Sequence, residues 1–171
     1  MLTLPVRNRR KKQPYLAIRS RLLERQIKKQ GTLFLPEVRN FMIARGIDAD
    51  GPAFLRYQTI ESSGEMDIEF GVFTDKLYSG SGPVRAGILP AGAYVSVTWF
   101  GAYDGLPDVD AMLMGWGEQK RLEWDMATTE AGLFFGCRIS ILHKTPRIGA
   151  AEAQFETEVA IKLKDPDAAV Q

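Results

Sequence analysis

The chain has 171 residues, 45% hydrophobic and 25% charged, which is the balance of an ordinary soluble globular domain and excludes disorder over most of its length. One cysteine, Cys137, and one histidine, His143, exclude an internal disulfide framework and a structural zinc site built on four Cys/His ligands. No apolar run approaches the ~18 residues of a membrane span, and the basic start, residues 1–13, lacks the apolar stretch of a secretory signal. A cytoplasmic location is expected, with no metal and no cofactor.

The net charge of +1 hides an asymmetry. Ten of the 22 basic residues lie at or before Lys29, where Glu24 is the sole acid, and the rest of the chain is acidic in balance. A basic segment can contact nucleic acid or another anionic surface. It can equally be a solvated tail followed by an edge strand guarded by charge.

Residues 1–12 read as a flexible basic arm. Pro14 to Arg21 alternates as a strand. Arg25 to Gly31 reads as a polar connection, and a helical pattern follows from Leu35 through Val38, Phe41, Met42 and Arg45 to a stop at Gly46. Ala53 to Ile60 and Met66 to Phe73 read as two strands around the turn Glu61-Ser62-Ser63-Gly64. In the second, Asp67 and Glu69 share one face, opposite Met66, Ile68, Phe70 and Val72. Small residues around Ser79-Gly80-Ser81-Gly82-Pro83 mark a linker.

The order then repeats: a strand from Ala93 to Phe100, a helix opened by residues 101–107 and running to Gln119, a loop with Trp124, a strand from Phe134 to His143, a loop, and a last strand from Phe155 to Lys164. Tyr15-Leu16-Ala17-Ile18 lies over Tyr94-Val95-Ser96-Val97, and Met66-Asp67-Ile68-Glu69-Phe70 over Thr157-Glu158-Val159-Ala160-Ile161, which matches Asp67 with Glu158. The expected architecture is α+β: tandem strand–helix–strand–strand modules with pseudo-twofold symmetry and a central ligand cleft on the sheet faces turned away from the helices. The division is an arm 1–12, one domain 13–164 (module one 13–74, linker 75–84, module two 85–164) and a tail 165–171.

Four features in this order carry a resemblance: Leu89-Pro90-Ala91-Gly92-Ala93-Tyr94; Phe100-Gly101-Ala102-Tyr103; Trp116 in the second helix; and Phe155-Glu156-Thr157-Glu158-Val159-Ala160-Ile161. Together they resemble the GyrI-like, AraC-type effector-binding family over about residues 13–164. The resemblance implies two strand–helix–strand–strand modules around a ligand cleft. It also implies one of three roles: a drug- or metabolite-binding domain, a hydrolase of electrophilic cyclopropane-containing natural products, or a gyrase-inhibiting protein. Activator members carry a helix-turn-helix, for which the residues before the first strand here are too few, so a stand-alone member is expected.

The resemblance places the Glu of the last strand, here Glu158, deep in the cleft. Its neighbours Thr157 and Val159 point the other way. A carboxylate among aromatic rings attracts a flat cation, and partial burial would raise its pKa toward general acid or base work. The plain alternative is a solvated strand carboxylate paired with Lys162. Asp67 and Glu69 are further candidates on the same kind of face. Trp116, Trp99 and Tyr103 are candidate aromatic walls, against the default of a core tryptophan. Of Phe54 and Tyr57, only one can face the cleft, and Tyr57 is preferred because a phenol suits a wet pocket. His143 reads as a surface residue and Cys137 as a buried, inert thiol. The expected ligand is flat, aromatic, and cationic or weakly polar. The partners left open are nucleic acid at the basic arm and a protein such as DNA gyrase.

Overall fold

The computed structural model describes residues 1–144 and 155–166. The elements in chain order are β1 (Val6–Arg10), β2 (Gln13–Leu23), α1 (Ile27–Ala44), β3 (Ala53–Glu61), β4 (Glu65–Phe73), β5 (Val84–Leu89), β6 (Gly92–Phe100), α2 (Leu106–Gln119), β7 (Met126–Thr129), β8 (Gly132–Phe135), β9 (Arg138–Lys144) and β10 (Glu156–Lys162). All ten strands join one antiparallel sheet in the order β1-β6-β10-β9-β3-β4-β2-β5, with β7 and β8 attached beside β3. The molecule is thus α+β, with two helices on a large antiparallel sheet.

The two halves of the sheet repeat one pairing pattern. Tyr15 and Arg19 of β2 face Phe73 and Glu69 of β4, and Tyr94 and Thr98 of β6 face Lys162 and Glu158 of β10. With Tyr15 laid on Tyr94, Glu69 and not Asp67 falls on Glu158. The sequence overlay matched the wrong acid because hydropathy alone tolerates a slip of two residues, which preserves every face.

Residues 1–12 are not a loose arm. Val6–Arg10 pairs with β6 along its length, Leu2 bridges Trp99, and the Met1 amine donates to the Phe100 carbonyl at 2.9 Å. The strand escaped the sequence reading because its side chains are mostly exposed and basic, so no apolar alternation marks it. β5 escaped for a similar reason, since it alternates weakly and lies beside the small-residue stretch. The 75–84 linker ends at Val84, where β5 begins. The segment Phe134 to His143, read as one strand, is two strands separated at Gly136 and Cys137. α1 also starts earlier than its pattern suggested: Ile27 packs under the cluster of Leu22, Ile68 and Phe70 and brings the polar turn into the helix. Its end was legible, with Gly46 at φ 67° and the Ile47 amide donating back to the Met42 carbonyl.

β1 lies at one end of the strand order, yet only Lys11 and Lys12 join it to β2 near the other end. Likewise only Pro90 and Ala91 join β5 to β6. Three residue steps span at most ~10 Å, so the sheet curls until its edges meet. The helices cover the outer face: Leu16, Ile18 and Val72 pack on α1 residues Val38 and Met42, and Val97, Val159 and Ile161 pack with α2 residues Val109 and Leu113. The inner face gathers Tyr15, Phe54, Tyr94, Ile139, Ile141 and Ala160, all nearly inaccessible to solvent.

Candidate functional site

Where the two edges of the curled sheet cross, a cleft of about 260 Å³ opens onto the inner face. Phe73, Tyr94 and Ile139 line it, and Arg10, Lys11 and Lys12 form its rim. Phe73 ends β4, Tyr94 opens β6, and Ile139 lies on the central strand β9, so aromatic and aliphatic surface converges from both halves.

Glu158 lies on this inner face with only 16% of its side chain exposed. Both of its oxygens are engaged. Arg10 donates to Oε1, and His143 Nε2 lies 2.8 Å from Oε2. The Arg10 guanidinium carbon also sits 5.4 Å from the Tyr94 ring centroid, within the range of a cation–π contact. The Tyr94 hydroxyl donates to the carbonyl of Pro90, another lining residue, at 2.6 Å.

This environment reverses the expected pKa of Glu158. Burial pushes the carboxyl up, but the hydrogen bond from His143 and the charge of Arg10 outweigh it and hold the group at about 2. Glu158 is therefore a fixed carboxylate at neutral pH, unable to donate a proton. His143 moves the opposite way: its hydrogen bond to Glu158 raises its pKa above 6.5 against the opposing effect of burial.

Glu69, the corresponding acid of the other half, is satisfied by neutral donors and a nearby cation. Tyr15 donates to Oε2 at 2.7 Å, Gln58 donates to Oε1, and Arg56 lies 4.0 Å away. Arg56 also donates to the Tyr15 hydroxyl at 3.1 Å and to the Gly136 carbonyl at 3.0 Å, tying β3 to the start of β9. Burial, with the charge of Glu69, raises the Tyr15 pKa. Asp67, one step along the same face, is held by Arg19 at 2.7 Å.

The aromatic candidates separate by face. Tyr57 packs on the helix side with Leu22, Leu55 and Ile68, beneath the Arg138 guanidinium at 5.0 Å, and burial raises its pKa to about 12. Phe54 takes the inner face instead. The preference for Tyr57 fails because alternation along β3 puts Phe54 and Arg56 on the inner face and turns Leu55 and Tyr57 to the helices. Trp99 and Trp116 both belong to the helix-side cluster; Trp99 donates from Nε1 to the Ala102 carbonyl at 2.8 Å and pins the turn into α2. Tyr103 packs on Phe155 with centroids 5.3 Å apart, at the far end of β10. The structure thus brings Glu158 and Glu69 onto one buried face, and leaves Trp99, Trp116 and Tyr57 behind the sheet.

The cleft residues Phe73, Tyr94 and Ile139 escaped the sequence reading, and so did the two partners of Glu158. Arg10 read as one of five clustered cations, Arg7, Arg9, Arg10, Lys11 and Lys12, and nothing local distinguished it. His143 read as a surface residue because it ends its strand, and only the register of β9 on β10 brings it to Glu158. The basic stretch splits by face: Arg7 and Arg9 line a separate, shallow groove of about 420 Å³ near the end of α2, with Arg121, Glu123, Lys164 and Asp165. Among the described residues, no helix is long and apolar enough to cross a membrane.

No family model and no curated protein matches the sequence. Solved structures do. The C-terminal domain of EcmrR superimposes with a TM-score of 0.74 at 18% identity, covering 95% of this chain and 98% of that one. In the EcmrR–DNA complex the chain covers 58% of EcmrR, so it spans little more than half of that protein's length. SAV2435 bound to tetraphenylphosphonium matches with a TM-score of 0.59 at 11% identity, over 95% of this chain and 94% of that one. A hydrolase from Listeria innocua matches with a TM-score of 0.57 at 11% identity, over 94% and 91%. At these identities the likeness is one of fold, and it agrees with the motif-based resemblance: the chain has the GyrI-like effector-binding fold.

Proposed function

We propose that this protein is a duplicated effector-binding domain that takes a small aromatic molecule into the cleft between its two halves. The observation that carries this reading is the cleft itself. Half-buried Phe73, with Tyr94 and Ile139 packed beneath it, converges from both halves on a cleft bordered by charged side chains. Apolar walls with a few placed polar groups are the usual make-up of a small-molecule site. The tetraphenylphosphonium held by SAV2435, a protein of the same fold, supports an aromatic ligand.

Glu158 stays ionised far below neutral pH, so it does not serve as a general acid. Its carboxylate holds His143 and Arg10, the latter a lining residue of the cleft.

A thermal-shift screen of aromatic anions, cations and neutral compounds tests the reading. A ligand at 100 times its dissociation constant stabilises by about 2.7 kcal/mol. At least one aromatic compound is expected to give a saturable shift that falls in Phe73→Ala. A panel in which no compound shifts the wild type at any concentration rejects the proposal.

A further inference from the structure

This inference rests on the reading of the cleft just given and concerns the charge of its ligand. An acid beside an aromatic ring is the arrangement that a ligand cation seeks. Here Glu158 and Tyr94, four residues apart along the β6–β10 pairing, both engage one cation: Arg10, delivered by the edge strand β1, bonded to Glu158 and lying over the Tyr94 ring. The other carboxylates of the inner face are also taken, Glu69 by Tyr15, Gln58 and the nearby Arg56, and Asp67 by Arg19.

The rim is positive. Lys11 and Lys12 are exposed and make no ion pair among the described residues. The Arg10 Nε is shielded from solvent and has no hydrogen-bond partner, so one guanidinium donor beside the cleft lacks an acceptor. A cation entering this cleft meets two ammonium groups and finds the Glu158 carboxylate already held by Arg10 and His143. An anion meets attraction from Lys11 and Lys12 and finds a guanidinium already oriented.

The other half shows what the site would be without Arg10. Arg10 pairs with Gly92 on β6, and Leu89 pairs with Gln13 on β2. With Tyr94 laid on Tyr15, Leu89 holds the place of Arg10, and it lines the same cleft. One edge strand closes the crossing with an aliphatic side chain and the other with a cation.

We propose that Arg10 fills the cation seat beside Glu158 and Tyr94, and that the cleft consequently selects an anionic aromatic ligand, an aromatic body bearing a carboxylate, sulfonate or phosphate.

Tetraphenylborate and tetraphenylphosphonium have the same shape and opposite charge, so calorimetric titration of both isolates the charge term. The wild type is expected to bind tetraphenylborate about tenfold or more tighter than tetraphenylphosphonium. Arg10→Leu, which installs the residue of the other half, is expected to reverse the order by freeing Glu158. The double variant Lys11→Ala/Lys12→Ala alters only exposed side chains, so it reports even if Arg10→Leu folds poorly; it is expected to weaken tetraphenylborate severalfold and leave tetraphenylphosphonium unchanged or tighter. Wild-type preference for tetraphenylphosphonium overturns the charge assignment and leaves the cleft reading standing. Tetraphenylborate binding that is unchanged in the lysine variant and in folded Arg10→Leu also overturns the assignment, since it marks adventitious apolar adsorption. Absence of binding by either ion overturns the assignment and the cleft reading together.

Discussion

Gln58 and His143 occupy the same place in the two halves of the sheet. Gln58 falls where the β3–β4 register shifts, between Tyr57 and Thr59. His143 falls where the β9–β10 register shifts, between Leu142 and Lys144. Each makes a hydrogen bond to the acid across from it, Gln58 to Glu69 and His143 to Glu158. Bulges re-aim a side chain at the edge of a site, and here the same bulge is used twice. An amide does not titrate near neutral pH and an imidazole does, so only the half carrying Glu158 is built to respond to pH.

His143 is the only histidine, so a single imidazole resonance reports it. Its folded pKa lies above 6.5, and its stabilising contribution is therefore full below pH 6.5 and lost as pH rises through the folded value. Glu158 is held at about 2 against an ordinary 4.5, so its contribution is present above pH 4.5 and lost as pH falls toward 2. With a discount for partial exposure, that acid-side loss is on the order of 2 kcal/mol, about 5 °C in melting temperature for a chain of this size. Melting curves across pH are expected to flatten on the alkaline side in His143→Gln. In Glu158→Gln the imidazole pKa is expected to fall toward its ordinary value; an unchanged titration would show that the two side chains are not paired in solution.

Two glycines of α2 make opposite predictions. A Cβ on Gly117 would come within 2.0 Å of the Trp124 ring, whereas one on Gly115 meets nothing within 4 Å. Gly117→Ala is expected to destabilise by about 1–3 kcal/mol through overpacking. Gly115→Ala is expected to stabilise by about 0.5–1 kcal/mol through helix propensity. Denaturant unfolding of the two variants checks both signs.

Arg138 and Asp110 form an ion pair of 2.9 Å with 11% and 9% of their side chains exposed, the guanidinium lying over the rings of Tyr57 and Phe135. Burial pushes the Asp110 carboxyl up and Arg138 opposes it. Asp110→Ala leaves a buried, unpaired guanidinium and is expected to cost about 3–5 kcal/mol. The double variant Asp110→Leu/Arg138→Met is expected to recover most of that loss. A double-mutant cycle in urea measures the coupling, and additive single losses would show that the pair does not act as a unit.

All three tryptophans, Trp99, Trp116 and Trp124, pack on the helix side of the sheet. A ligand in the inner cleft touches none of them. Ligand titrations that raise the melting temperature are therefore expected to change tryptophan emission little. Strong saturable quenching would put the ligand behind the sheet, against Trp99 or Trp116 as the sequence first suggested.

The alternation of Met66 to Phe73 and Phe155 to Lys164, the helix stop at Gly46, and the repeated strand–helix–strand–strand order were all readable from the sequence, because each rests on local periodicity or on one residue's backbone freedom. Glu158 stood out in the sequence as a candidate because of its place in the motif that carries the family resemblance. The strand at Val6–Arg10 was not, since an exposed, basic edge strand is defined by the hydrogen bonds it makes to β6 and not by a pattern of its own. The face of Tyr57 depended on where β3 sits between β4 and β9. The match of Glu158 with Glu69, the approach of His143, and the capture of Glu158 by Arg10 are all consequences of register and of the curl that brings the sheet's edges together. Sequence determined which side chains this protein has on each strand. The tertiary structure decided which charges meet, and so paired a candidate acid with Arg10 and His143.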